Sequence, residues 1–187
     1  AGGLAYANAA VEAKCAKGNF QGKTAGDGSY QLNIDSSPGV CVIRVEDSAN
    51  KRYLHGLING NGNLNLTPLT ELLSVRLLRQ SMTEVFKSPD FGMIEKKIGS
   101  PEVGLAQAEV TEAVSTWADL SKTGNWYSLN FKAASSANPT GGDSFDKLLD
   151  SLKPMFGQRA MLIAQDNLLS APSIYPVSRS EEHTSEL

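Results

Sequence analysis

Histidine is nearly missing from this sequence. Two occur in 187 residues, and His183 stands in a C-terminal stretch set apart below, so His55 alone is available for histidine chemistry. A Ser-His-Asp site therefore has one candidate base. Neither a Gly-x-Ser-x-Gly elbow nor a His-Glu-x-x-His helix occurs, and there is no Walker or dinucleotide fingerprint. Cysteine is just as scarce: there are two, and two cysteines without histidines beside them make no structural zinc site. We expect no metal, no cofactor and no catalytic residue. No apolar run approaches the roughly 18 residues that span a bilayer, so no transmembrane segment is expected. Basic charge is not in excess, with 17 Lys and Arg against 20 Asp and Glu. Such a chain offers no field for a phosphate backbone, which excludes nucleic acid as an expected partner.

What remains is ordinary globular material, 41% hydrophobic and 20% charged. The first third reads as β-structure. Val11, Ala13 and Cys15 alternate with Glu12 and Lys14, and Tyr30, Leu32 and Ile34 alternate with Gln31 and Asn33, the period of a half-buried strand. Val40 to Val45 is a short apolar run that predicts a strand covered on both faces. Tyr53 to Ile58 and Leu64 to Leu66 complete the set. Turn signals at 17–19, 26–28, 36–39 and 59–63 separate these runs. Short strands so punctuated predict a sandwich.

At Thr67 the period changes. Thr67 suits an N-cap and Pro68 the first helical position. Leu69, Leu72, Leu73 and Leu77 then form one face, and Val75, Leu78, Met82, Val85 and Phe86 a second. Ser100-Pro101 opens another helix carrying Val103, Ala106, Val110, Ala113, Val114 and Trp117. Asp143 or Ser144 caps a third, with Phe145, Leu148, Leu149 and Leu152 behind it and Pro154 as its stop. A Ser/Ala/Gly/Pro-rich loop is expected at 133–142, and residues 158–169 fit helix and strand equally. The fold expected is α+β: an antiparallel β-sandwich over 1–66 and an all-α subdomain over 67–177 packed against it. Residues 178–187 are expected to lack structure; Arg179 to Leu187 resembles translated sequencing-adapter read-through.

Cys15 and Cys41 both point inward by alternation on separate strands. A bridge across the sandwich core, closing a loop of about 26 residues, would contribute roughly 3–4 kcal/mol on the chain-entropy model. It would also place the protein in an oxidising compartment. Two buried free thiols in a cytosolic protein fit the same pattern; the bridge is the expectation carried forward.

Two segments carry a family resemblance. Leu4 to Cys15, and Thr24 to Leu32 with Asp27-Gly28-Ser29-Tyr30 at its centre, resemble the carboxypeptidase regulatory-like domain. That family is a transthyretin-like (prealbumin-like) sandwich in which Gly28 would serve a tight turn and Tyr30 would re-enter the core. Thr67-Pro68-Leu69-Thr70-Glu71 resembles the segment that opens a helical region in secreted bacterial members, which also carry paired cysteines. The 131–133 loop and the Ser144 to Leu152 helix look like the same group. The resemblance implies an exported bacterial protein, periplasmic, surface-bound or extracellular, and a lipoprotein in its full-length form. It also implies a first strand clipped before Ala1, with any targeting segment upstream.

Function is thus expected to be structural or binding rather than catalytic, within an envelope protein whose partner is unknown; a polysaccharide or another envelope protein fits that setting. Trp126 and Tyr127, near Phe131 and with Trp117, form the one aromatic cluster that could stack on a sugar or peptide, and they would then face solvent. Their other reading is core. A hydrolase fragment is the rival class and would need Glu71, Glu109, Asp119 or Asp143 to converge. His55 is expected to cap or flank a strand. Asn59 to Asn63 lacks the carboxylates of a calcium loop and reads as a hairpin turn. Asn65-Leu66-Thr67 matches an N-glycosylation sequon, a pattern short enough to arise by chance.

Overall fold

A computed structural model describes residues 5–34 and 36–172. The expected clipped strand and the tail at 178–187 lie outside the described residues. The fold is mixed α+β. Strands β1 (Ala10–Cys15), β2 (Gly18–Lys23), β3 (Val40–Asp47) and β4 (Arg52–Asn59) form one antiparallel sheet in the order β2-β1-β3-β4. Helices α1 (Pro68–Leu78), α2 (Met82–Lys87), α3 (Phe91–Ile98), α4 (Glu102–Ala113), α5 (Ser144–Ser151) and α6 (Gln158–Ser170) follow.

The register sorts the side chains into two faces. On one, Lys14, Val42, Arg44, His55 and Leu57 meet the helices. Lys14 Nζ donates to the carbonyl of Phe86 at 2.8 Å, and the Arg44 guanidinium stacks between the Tyr53 and Phe86 rings at 3.9 and 4.0 Å. On the other face lie Val11, Ala13, Cys15, Cys41, Ile43, Val45 and Gly56. β3 is covered on both sides, as its continuous apolar run predicts.

The second sheet of the expected sandwich is not formed among the described residues. Tyr30, Leu32 and Ile34 keep their alternation, half-buried between exposed Gln31 and Asn33, but pair in no ladder. Leu64, buried, and Leu66, half-buried, also pair in no ladder. Both segments lie extended across the outer face as a roof. Gly56 shows how close they come: a Cβ there would stand 3.0 Å from Leu64 Cδ1 and Leu66 Cδ2. The Asn59 to Asn63 turn consequently leads from β4 onto that roof rather than into a hairpin partner.

The chain beyond the sheet is not all-α either. Residues 114–143 between α4 and α5 are irregular, and their Leu120, Trp126 and Tyr127 join the core. Sheet and helices share one hydrophobic cluster running from Val11 to Leu168. α1 is its axis, with every residue buried. Buried Arg76 ties α1 to its neighbours, donating to the Glu109 carboxylate of α4 and to the carbonyls of Leu168 and Ala171 at the end of α6. Those carbonyls carry the negative end of the helix dipole, which favours a cation there.

The start of α1 follows from its sequence. Thr67 Oγ1 accepts from the Thr70 N–H at 3.2 Å, while Thr70 Oγ1 accepts from the Thr67 N–H at 2.9 Å. This reciprocal cap satisfies two N-terminal donors. Thr70 and Glu71 also reach the free edge of β4. The Thr70 hydroxyl donates to the His55 carbonyl at 2.9 Å, and Glu71 Oε2 accepts from the His55 N–H at 2.6 Å. Side chains of a helix here stand where a fifth strand would, closing an edge that would otherwise template pairing.

Candidate functional site

The outer face holds a groove of about 550 Å³. Its floor is Cys41, Ile43 and Val45 of β3 with Ile58 of β4; its walls are Tyr30, Leu32 and Ile34 on one side and Leu64 and Leu66 on the other. Asn61, Asn138, Phe131 and Lys132 stand at the rim. The floor is apolar because odd positions of β1 and β3 face this way. The roof covers most of that floor: Cys41, Ile43 and Val45 are buried, and Ile58 is half-buried.

The two cysteines meet at this floor. Cys15 and Cys41 are register partners on β1 and β3 and form a disulfide, with their Cα atoms 4.0 Å apart. The bridge therefore lies within one sheet, between adjacent strands, and not between two sheets as a sandwich core would require.

The Asp27-Gly28-Ser29-Tyr30 turn sits beside the groove. Asp27 Oδ1 accepts from both the Ser29 hydroxyl, at 2.6 Å, and the Ser29 N–H, at 2.9 Å. These bonds hold the Asp27 carboxyl below its usual range. Gly28 has φ of +80°, a conformation that L side chains rarely adopt. Tyr30 then donates its hydroxyl to the Leu64 carbonyl at 2.7 Å, joining the two halves of the roof, and burial pushes its phenol pKa up. Tyr30→Phe is expected to cost about 1–2 kcal/mol, because the part-buried Leu64 carbonyl loses its partner. Thermal unfolding of the two proteins side by side checks this; an unchanged midpoint would mean the bond holds nothing together.

Trp126 and Tyr127 are not placed to stack on a ligand. Trp126 is fully buried, its indole N–H donating to Thr123 Oγ1 at 2.7 Å. Tyr127 is buried with its hydroxyl 2.7 Å from Ser74 Oγ, and burial raises its pKa. Hydrophobic burial outweighs display for both rings, since each finds a partner for its polar tip inside the core. Trp117 alone is exposed, at 51%, and it stands beyond α4 without the other two.

The four carboxylates do not converge. Glu71 holds His55, and Glu109 holds Arg76. Asp119 closes an exposed turn on Ser121, whose N–H and hydroxyl lower its pKa. Asp143 caps α5 through the Phe145 and Asp146 amides. No group of three or more His, Cys, Asp or Glu side chains is gathered for a metal among the described residues. No helix among them is long and apolar enough to cross a membrane.

Sequence reasoning missed a buried polar pair between β4 and α1. His55 does not cap or flank a strand. It lies within β4, fully buried, with Nδ1 2.8 Å from Glu71 Oε2 and Nε2 without a hydrogen-bond partner. The available signal was that His55 falls on the same face of β4 as Leu57, while Glu71 opens the helix covering that face. Asn65, the sequon asparagine, spends its amide on the carbonyls of Trp126 and Leu129 at 3.0 and 2.7 Å.

Comparison of the chain with protein-family models, curated proteins and solved structures finds no match.

Proposed function

We propose that this chain is a non-catalytic binding module of an exported bacterial envelope protein, built on a carboxypeptidase regulatory-like frame and presenting the outer-face groove to its ligand. The observation that carries this reading is the composition of the groove. It has the size of a small-molecule site, and the acid and base side chains among its described lining, Asp27 and Lys132, are both exposed, Asp27 being turned onto Ser29. Catalysis by proton transfer needs such groups within hydrogen-bond reach of a substrate, and the acidic residues considered for that role are engaged elsewhere. Export is supported by the disulfide, which persists in oxidising compartments. The family frame is supported by the Asp-Gly-x-Tyr turn and by the alternation kept along the roof.

The test is a binding and turnover screen on oxidised protein. Envelope oligosaccharides, short peptides and soluble amphiphiles are each presented at millimolar concentration, with binding read by saturation-transfer NMR and turnover by mass spectrometry. We expect one class to bind without being converted, and binding to disappear in Ile58→Trp, which fills the floor. Conversion of any compound by the purified chain, or no binding in any class, overturns the proposal.

A further inference from the structure

The two edges of the sheet are treated differently. Thr70 and Glu71 of α1 stand on the β4 edge, whereas the β2 edge is left open among the described residues. Antiparallel strands bond through alternate residue pairs, and one bond fixes which pairs those are between β1 and β2. The Thr24 N–H donates to the Ala9 carbonyl at 2.9 Å, continuing the register of the two strands. Stepping back two residues at a time, Gly22, Phe20 and Gly18 bond to β1. Asn19, Gln21 and Lys23 therefore turn their N–H and C=O groups away from the sheet. No described group bonds to these outward backbone groups, and all three residues are exposed. Such an edge templates pairing with another strand.

The strand that fits this edge best is β2 itself. Two copies laid antiparallel about a two-fold axis at Gln21 place Gln21 opposite Gln21 and Asn19 opposite Lys23. Every outward N–H then meets an outward C=O, since each outward residue faces another outward residue. Lys23, the one charged side chain of β2, faces Asn19 rather than another lysine. Moving the axis to Phe20 would set Lys23 against Lys17, and like charges directly opposite destabilise a pair. In the Gln21 register the closely spaced pairs bring Phe20 against Gly22. Leu32 already lies over Gly22, its Cδ2 2.9 Å from where a Cβ would stand. The half-buried Phe20 ring thus gains an apolar neighbour with no bulky side chain opposing it on the strand. β2 has no proline to interrupt the ladder.

We infer that the β2 edge joins two copies of this chain as an antiparallel strand pair centred on Gln21, making one continuous sheet of the two. The contact is isologous, the same residues serving on both sides. One pair of six-residue strands buries less than a standard interface, so the dimer is weak, with a Kd on the order of 100 µM. It needs neither the groove nor a ligand, and it stands or falls independently of the binding role proposed above.

Analytical ultracentrifugation of the oxidised chain from micromolar to millimolar concentration tests this, and a reversible monomer–dimer equilibrium is expected. Gln21→Lys sets two ammonium groups opposite each other and should weaken dimerisation about three- to fivefold at low salt, with part recovered in about 0.5 M sodium chloride. Asn19→Asp gives Lys23 of the other copy a carboxylate at both ends of the pair and should tighten it about two- to tenfold. Gln21→Pro removes the two central bonds and should leave monomer alone. Its outward N–H has no partner to lose within the chain, and circular dichroism verifies the fold of each variant. A chain that stays monomeric at millimolar concentration overturns the inference, as does a dimer indifferent to all three substitutions. Pairing that appears only when an unrelated extended peptide is added also overturns it, and would make β2 an acceptor for another protein's strand.

Discussion

Replacing Glu71 with alanine is expected to destabilise the oxidised protein by about 3–5 kcal/mol, the range for breaking a buried polar pair from one side. The reason lies in what one oxygen does. Glu71 Oε2 accepts from the His55 peptide N–H and faces His55 Nδ1, both buried. Alanine leaves both groups dry and unpartnered, and each orphaned group costs about 1–3 kcal/mol. His55 Nε2 already has no hydrogen-bond partner, so the ring has no second anchor. Glu71→Gln keeps a carbonyl oxygen for the peptide N–H and should lose less, about 1–2 kcal/mol. Urea unfolding of the three proteins gives the comparison, with a lower midpoint and unchanged slope expected. An alanine variant within about 1 kcal/mol of wild type, against the cost expected for a buried pair, would show that α1 does not seal the β4 edge in this way.

Removal of the disulfide is the second large effect. The Cys15→Ala, Cys41→Ala double variant is expected to lose about 3–4 kcal/mol, because the bridge closes a loop of 26 residues in the unfolded chain. Alanine is the informative choice: both positions are buried, at 4% and 1% exposure, and serine would add hydroxyls without partners. Reduction of the native protein should reproduce the loss. The bridged residues are neighbours in register, so the sheet should keep its pairing once unlinked; far-UV circular dichroism at low temperature should change little. Stability unaltered by reduction would mean the loop from β1 to β3 is already restricted in the unfolded chain.

Sequence patterns located those elements whose burial is one-sided or complete. β1 shows its alternation, β3 its continuous apolar run, and α1 its Thr67-Pro68 start. Asp143 marks α5 in the same way. β2 was illegible because Gly18, Asn19 and Gly22 disfavour strands and the strand is held as an exposed edge on β1. α3 buries only Ile94 fully, too little to mark a face over eight residues. Tyr30 to Ile34 misled in the opposite sense. Alternation reports that one side of a segment is buried; it does not report whether a ladder partner exists. The groove was hidden for the same reason, since the segments that wall it pair in no ladder. The His55–Glu71 pair joins two elements whose mutual placement no local pattern encodes.

Arg76 carries a consequence for how the protein is made. Its guanidinium is buried between carboxylate and carbonyl partners, and the farthest of its bonds to α6, to Ala171, lies 95 residues along the chain. At 5–20 residues per second, a ribosome delivers that partner about 5–20 s after Arg76 itself. The Glu109 carboxylate follows Arg76 by 33 residues, but the carbonyls at the end of α6 come only at the close of that interval. α6 must therefore dock late, closing a loop of low local contact against an already collapsed sheet and helix layer. During those seconds α1 is complete and its last neighbour is not.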